Sequence, residues 1–440
     1  MVAVSNVHIG LSAWAANQAV TQGARCSNGG NAYQCISSGT TAASGGPTGT
    51  GLIITDGTAT WTWLSAINYT SMSAWTSSLP TTLSQPVVAS LWNDALIQPN
   101  LAQYDSWISL TGITTSSANT ITINCAPGES FRDWLRIRPQ ARALAWQGTT
   151  AGVAVDFTGS VGSSNYIYFN SPYITLDGLQ IRDTSTSDTS TLVFVDASAS
   201  NNVIQNCLID GIAQAGGAII VDIYATSCKI LNSVLIDRQP SNSYEVNFRV
   251  DTSATLSLVN TTIAYVNTPN SGLSCIVNDN SAVNSVVALN CMSLNFPFGF
   301  NAVNTAGACS VSYSVLTSST VGNQTTDGGN NLVSQSAASL IVSPYTDLRL
   351  KAGSPAINAG SNSAKTSIPT MDDIAGTKRS PTGPWDAGAW EFLIPIVYRR
   401  NLIRLRRYRD GDPQHMARRD WQRLADHYRD GYITCNNIWI

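Results

Sequence analysis

Four short apolar runs constrain this chain more than any other feature: VIQNCLI (203–209), KILNSVLI (229–236), LSLVNTTIA (256–264) and VVALNCMSL (286–294). Each carries an Asn, then a small residue, then a second apolar stretch. Asn206, Asn232, Asn260 and Asn290 are separated by 26, 28 and 30 residues. A repeat of that length marks stacked supersecondary units. The runs are short, β-prone and without helical phase, so each unit reads as one coil of two or three strands. An Asn at every bend suits such a stack, because it tolerates left-handed backbone and its amide can bond the same amide about 4.8 Å away in the next coil. Cys207, Ser233, Thr261 and Cys291 are small enough for a crowded inner corner. The spacing predicts a mainly β protein with a parallel solenoid over about 126–345.

Composition agrees and removes other classes. Of 440 residues, 12% are charged and 43% hydrophobic, and mean hydropathy is +0.00. A charged disordered chain and a membrane-spanning one are both excluded. Charge is uneven: ten Arg and five Asp fall after residue 394, leaving a body of net −8 and a tail of net +5. The acidic body argues against nucleic-acid binding, and the tail reads as a docking element for an acidic partner.

The nine cysteines form no CxxC pair and no Cys/His cluster at zinc spacing, so neither metal nor cofactor is expected. Cys26 and Cys35 flank SNGGNAYQ and are placed for a disulfide under oxidising conditions. Cys207, Cys228, Cys275 and Cys291 sit in apolar runs and read as small buried hydrophobes. The opening MVAVSNVHIGLSAW has neither the basic nor the long apolar region of a secretory signal.

Punctuation by Gly, Pro and Ser divides the chain further. Residues 1–65 read as a small antiparallel β module rich in aromatic residues. Trp14, Tyr33, Trp61 and Trp63 could stack on sugar faces or form the module's own core. Residues 66–125 read as a connector and amino-terminal cap, with LSQPVVASLWNDALI (83–97) spaced for a short amphipathic helix. A closing segment covers 346–394. Residues 395–440 read as a basic helical attachment tail: Arg399, Arg400, Arg404, Arg406 and Arg407 supply charge, and Trp421, Leu424 and Tyr428 line one helix face after Asp412-Pro413.

For catalysis the candidates are Asp183, Asp210 and Asp237, spaced 27 and 27 and each ending an apolar strand. Stacked in register they would stand about 5 Å and about 10 Å apart, near the carboxylate separations of retaining and inverting glycosidases. The Asn series runs at 26 over the same coils, which competes with that register, and Asp at a strand end is also an ordinary turn former. Asp237, Arg238, Glu245, Arg249 and Asp251 form a second cluster, suited to lyase chemistry or to a solvated loop. His8, His415 and His427 lie outside 126–345, which excludes His-based acid–base chemistry there.

Three stretches carry resemblances. GESFRDW (128–134) followed by YITLDGLQI (173–181) resembles the right-handed parallel β-helix proteins of tailed phages and prophages. DLRLKAGSPAINAG (347–360), MDDIAGTKR (371–379) and WDAGAWEF (385–392) resemble the terminal segment of many such β-helices, with Asn358 and Trp385-Asp386-Ala387 departing slightly. The amino-terminal unit, through Trp14-Ala15, Tyr33, Cys35 and Asp56-Gly57-Thr58, resembles the carbohydrate-binding-like modules of phage fibre and baseplate proteins. The resemblance implies a structural, decoration or fibre-type virion protein, made in the host cytoplasm and touching host surface polysaccharide. Its partners would be capsid, neck or tail proteins and further copies of itself, a trimer among the options, with no nucleic acid and no membrane insertion. The alternatives are a tailspike depolymerase, hydrolase or lyase, acting through Asp183, Asp210 and Asp237, and a bacterial surface adhesin.

Overall fold

The structure is a computed structural model that describes residues 2–392, apart from 100, 102–105, 138–141, 159–164, 185–190, 212–218, 239–247, 251–253, 268–273, 279–284, 303–307, 323–324, 345 and 369–370. Residues Met1–Leu393 form one compact unit. The whole expected tail, from Arg399 to Tyr428 and beyond, lies outside the described residues, as do Glu245 and Asp251.

Three parallel sheets wind into a β-helix. Sheet A has ten strands: Ala3–Val7, Val87–Leu91, Ile121–Cys125, Ile174–Asp177, Asn202–Gln205, Cys228–Leu231, Thr255–Val259, Ser285–Leu289, Ala308–Ser312 and Thr325–Asp327. Sheet B stacks Ala154–Phe157, Gln180–Asp183, Leu208–Gly211, Val234–Asp237, Thr262–Tyr265, Met292–Leu294 and Val315–Leu316. Sheet C stacks Ile108–Thr111, Asn165–Asn170, Thr191–Val195, Ile219–Ile223, Phe248–Val250, Ser274–Asn278 and Phe298–Ala302. Register puts like on like: Ile123, Leu176, Ile204, Ile230, Leu258, Ala288 and Val311 form one continuous inward column of sheet A, all buried. Alternation along each strand sends every second side chain outward.

The bend between sheets A and B is where the repeated Asn sits. Asn206, Asn232, Asn260 and Asn290 have φ of 54°, 53°, 50° and 56°. Asn232 Nδ2 donates to Asn206 Oδ1 and Asn290 Nδ2 to Asn260 Oδ1, both at 2.9 Å. The following residues, Cys207 and Cys291, fill the core. The Asn side chains instead stack beneath the closing segment: Asn232 Nδ2 also reaches Asp372 O at 2.8 Å, and Asn290 Nδ2 reaches Ser361 O at 2.7 Å.

Two expectations need correction. Residues 83–97 form no helix: Val87–Leu91 is a strand of sheet A, held between Ala3–Val7 and Ile121–Cys125. Parallel partners on both sides overrode the helical spacing, and Pro86 with β-branched Val87 and Val88 favours extended chain. The helix nearby is Met72–Ser78, capped by Ser71 Oγ accepting from Ala74 N at 3.1 Å. The solenoid therefore starts at Ala3, not near 126, and the small antiparallel sheet of Arg25–Asn28, Asn31–Ser37, Ile54–Asp56 and Ala59–Ala66 is inserted between its first two strands.

The closing segment runs along the flank of the solenoid. Leu340, Leu348, Ile374, Ala387 and Trp390 pack on outward-facing Leu208, Val234, Ile236, Ala264, Met292 and Leu294 of sheet B. Gly388, at φ +91°, lets the chain approach closely, since a Cβ there would stand 2.7 Å from Thr262 Oγ1.

Candidate functional site

The three aspartates do not form one strip. Asp183, Gly211 and Asp237 share a register row, at intervals of 28 and 26, while Asp210 pairs with Arg182 and Ile236 one residue earlier. A one-residue offset puts a side chain on the opposite face. Asp183 and Asp237 thus have the parity of core-facing Ile181, Ile209 and Leu235, and Asp210 faces outward. The even spacing of 27 is the mean of two unequal coils.

Outward on sheet B, Asp156, Arg182 and Asp210 form a row. Arg182 pairs with Asp156 and lies over the Trp146 ring at 4.6 Å, while Arg238 Nε bonds Asp210 Oδ1 at 2.5 Å. Burial pushes the Asp210 carboxyl above its ordinary range, and Arg238 and Arg182 oppose the shift. These charges are committed to one another, which describes an ion-pair ladder and not an acid poised beside an open groove. The other cluster also separates: Arg238 serves Asp210 on sheet B, and Arg249 serves Asp222 on sheet C, at 3.0 and 2.6 Å.

In the inserted sheet, Tyr33 and Trp61 are core, each 1% exposed. Trp14 and Trp63 pack against that core, and their indoles donate to Asp56 Oδ2 at 2.8 Å and Asn31 Oδ1 at 3.1 Å. Tyr33 and Trp61 are thus core, because so small a sheet needs large rings inside, while Trp14 and Trp63 stay half-buried with their indole nitrogens engaged. Cys26 lies opposite Tyr33 and Ala24 bonds Cys35, so the two cysteines are diagonal neighbours in one core, as free thiols. Burial, with Asp56 and Cys35 nearby, pushes the Cys26 thiol up to about 12.

His8 lies between Ser65 Oγ and Asp94 Oδ2, each at 2.7 Å. The order Ser–His–Asp matches a nucleophilic triad. His8 and Ser65 are 1% and 5% exposed, however, and the His8 ring is stacked on Trp92 at 5.1 Å. Arg25 of the inserted sheet adds a bidentate bond to Glu129, at 3.1 and 2.7 Å, and reaches Asp94 at 3.4 Å. Together they bolt the insertion to the first coils.

What the sequence reading missed lies on the outer face of sheet C. Tyr168 and Phe194 are register partners with buried neighbours Ile167, Phe169, Val193 and Val195, so both point outward. Tyr224 follows at the end of the next strand. Ring centroids are 5.5 Å apart from Tyr168 to Phe194 and 5.2 Å from Phe194 to Tyr224, and all three rings are half-buried. Polar groups flank them: Tyr168 OH donates to Asp196 Oδ2 at 3.1 Å and accepts from Asn170 Nδ2 at 2.9 Å, and Arg249 Nη2 donates to Tyr224 OH at 2.8 Å. Burial, then Asp196, raises the Tyr168 phenol. One rung beyond Tyr168, Ser109 and Thr111 enter a cavity of about 380 Å³ shared with Ser73, Thr76, Ser106 and Trp107. From Ser109 to Arg249 the row spans four rungs, about 19 Å. The sequence held one signal for it: Tyr168 and Phe194 are 26 apart, the same interval as Asn206 and Asn232.

Among the described residues no three His, Cys, Asp or Glu side chains cluster as a metal site, and no helix is long and apolar enough to cross a membrane. No protein-family model matches the chain, and no curated protein matches it. Among solved structures, the crystal structure of pectate lyase Pel9A is similar, with 12% identity, 74% of this chain and 92% of that chain covered, and a TM-score of 0.36.

Proposed function

We propose that this chain is a non-catalytic β-helix of a tailed-phage virion that contacts surface polysaccharide along sheet C. The observation that carries the glycan reading is the ladder Tyr168–Phe194–Tyr224, ending at a cavity lined with hydroxyls. Flat rings stack on the C–H faces of sugars, and adjacent hydroxyl, amide and carboxylate groups satisfy sugar hydroxyls that leave water. The ladder runs along the solenoid axis, which suits an extended polymer. The carboxylates support binding over cleavage: Asp156 and Asp210 are tied to arginines, and Asp183 and Asp237 share the parity of the core.

The virion assignment rests on the phage-like motifs, which meet in space. Arg132 of GESFRDW donates through Nε to Ile374 O at 3.1 Å and through Nη2 to Asp373 O at 3.2 Å, both in the closing motif. Two tests apply. Phe194→Ala should abolish retardation of the full chain by surface polysaccharide of the host while leaving the far-ultraviolet spectrum unchanged; unaltered retardation would refute the track. Immunogold labelling of intact particles should place the chain on the virion, and particles free of label would remove that part of the reading.

A further inference from the structure

The polymer that fits this track is uncharged. We infer this, on the basis of the glycan reading above, from where the chain puts its cations. Between residues 102 and 278 the sequence contains Arg132, Arg136, Arg138, Arg142, Arg182, Lys229, Arg238 and Arg249 and no other Lys or Arg. Only Arg249 belongs to a strand of sheet C. Its guanidinium is engaged by Asp222 through two bonds and by the Tyr224 hydroxyl through a third, and it lies 5.5 Å from the Tyr224 ring. An anionic sugar could use it only by displacing a buried carboxylate from a bidentate pair, which leaves Asp222 uncompensated.

The remaining charge on the track has the wrong sign for an acidic polymer. Asp196 stands beside the Tyr168 ring with both oxygens directed to neutral donors: Oδ2 to the Tyr168 hydroxyl, Oδ1 to Ser198 N and Ser198 Oγ at 3.1 Å each. No cation pairs with it among the described residues. A uronate, sulfate or phosphate group on the polymer would therefore meet a carboxylate of like charge with no free cation beside it among the described residues. A sugar hydroxyl would meet an acceptor. The cavity beyond Tyr168 has the same character: its polar lining is made of Ser and Thr hydroxyls, and Trp107, Leu79 and Ile113 supply the apolar part. Neutral hexoses and N-acetylated hexosamines carry that mixture of hydroxyl and apolar faces.

The test uses the full chain on an immobilised oligosaccharide panel with uncharged members and uronate-, sulfate- and sialic-acid-bearing members, read in parallel with Phe194→Ala and Asp196→Lys. Binding that needs Phe194 and is at least tenfold stronger to uncharged members is expected, with Asp196→Lys moving the preference toward acidic ones. Phe194-dependent binding to acidic members at equal or greater strength would overturn the inference and leave the track standing. Binding to every member unaffected by Phe194→Ala, or no binding at all, would overturn both.

Discussion

The outer faces of sheets B and C share one solenoid and one pleat, yet they do opposite work. Sheet B turns Leu208, Val234, Ile236, Ala264, Met292 and Leu294 outward, and the chain returns to cover them with Leu340, Leu348, Ile374 and Trp390. Sheet C turns Tyr168, Phe194, Asp222 and Arg249 outward, and its rings are only half-buried. A face of aliphatic side chains needs a cover, because exposing it costs about 25 cal/mol per Å². A face of rings and hydrogen-bonding groups tolerates water and retains geometry for a ligand. The covered face is held by apolar packing, and the recognition proposed above falls to the other.

That division is open to test, and the largest effect belongs to the covered face. Arg379 is 1% exposed, bonds Glu391 Oε2 at 2.6 Å and Gly388 O at 3.0 Å, and stands over Trp385 at 5.4 Å. Arg379→Ala leaves Glu391, Asp373 and Asp386 buried around an absent cation. It should destabilise the chain by about 3–5 kcal/mol in denaturant melts. Loss below about 1 kcal/mol would mean that the flank is not what holds the fold.

Acidity probes the same cluster. Burial raises Asp373 to about 6 and Glu391 to about 7, with Arg379 opposing both, against ordinary values near roughly 4. The folded state therefore binds more protons than the unfolded state between those limits. This contribution is fully present below about pH 4 and is lost as pH rises through about 6 and about 7, a few kcal/mol in all. The denaturation midpoint should fall from pH 5 to pH 8, and Glu391→Gln should flatten the slope. A midpoint that rises over that range would contradict the burial argument.

The Asn ladder gives a smaller and more local effect. Asn232 donates both to Asn206 and to Asp372 O from a left-handed backbone, so Asn232→Ala should cost about 2 kcal/mol. Asn260 offers a contrast. Its Nδ2 has no partner among the described residues, while Asn232 Oδ1 accepts from Arg379 Nη2 at 3.4 Å. Asn260→Ala should cost measurably less than Asn232→Ala, and equal losses would show that backbone conformation alone accounts for the series. Phe194→Ala on the open face should be the mildest for stability, about 1 kcal/mol, while removing glycan binding. A larger loss would mean that the ring ladder also holds the coils together.

Much of this fold was legible before any coordinates. The Asn interval of 26 to 30 named a stacked β solenoid, and the left-handed φ at all four positions is the reason Asn recurs at the bend. The small residue after each Asn pointed to the inner corner, where Cys207 and Cys291 lie. The aspartate strip failed for a reason equally physical: spacing along a sequence averages over coils of 28 and 26, and parity decides the face. The aromatic track went unseen because Tyr224 is two residues past the register partner of Phe194, so no fixed period joins the three rings.

The sequence by itself determined the coil, since the bend residue, the β-prone runs and the small corner side chains are local properties that each repeat states again. Tertiary structure alone decided what covers each face. It inserted the amino-terminal sheet between the first two strands, turned residues 87–91 from an expected helix into a rung, and laid the closing segment against sheet B through Leu340, Leu348, Ile374 and Trp390 and against sheet A through Ala364, Ile368 and Trp385. Each outcome depends on hydrogen-bond partners and apolar surface supplied by chain tens to hundreds of residues away, such as Arg132 meeting Asp373 and Ile374. A local pattern encodes which side chains alternate; only the folded neighbours fix which of the two faces is left to water.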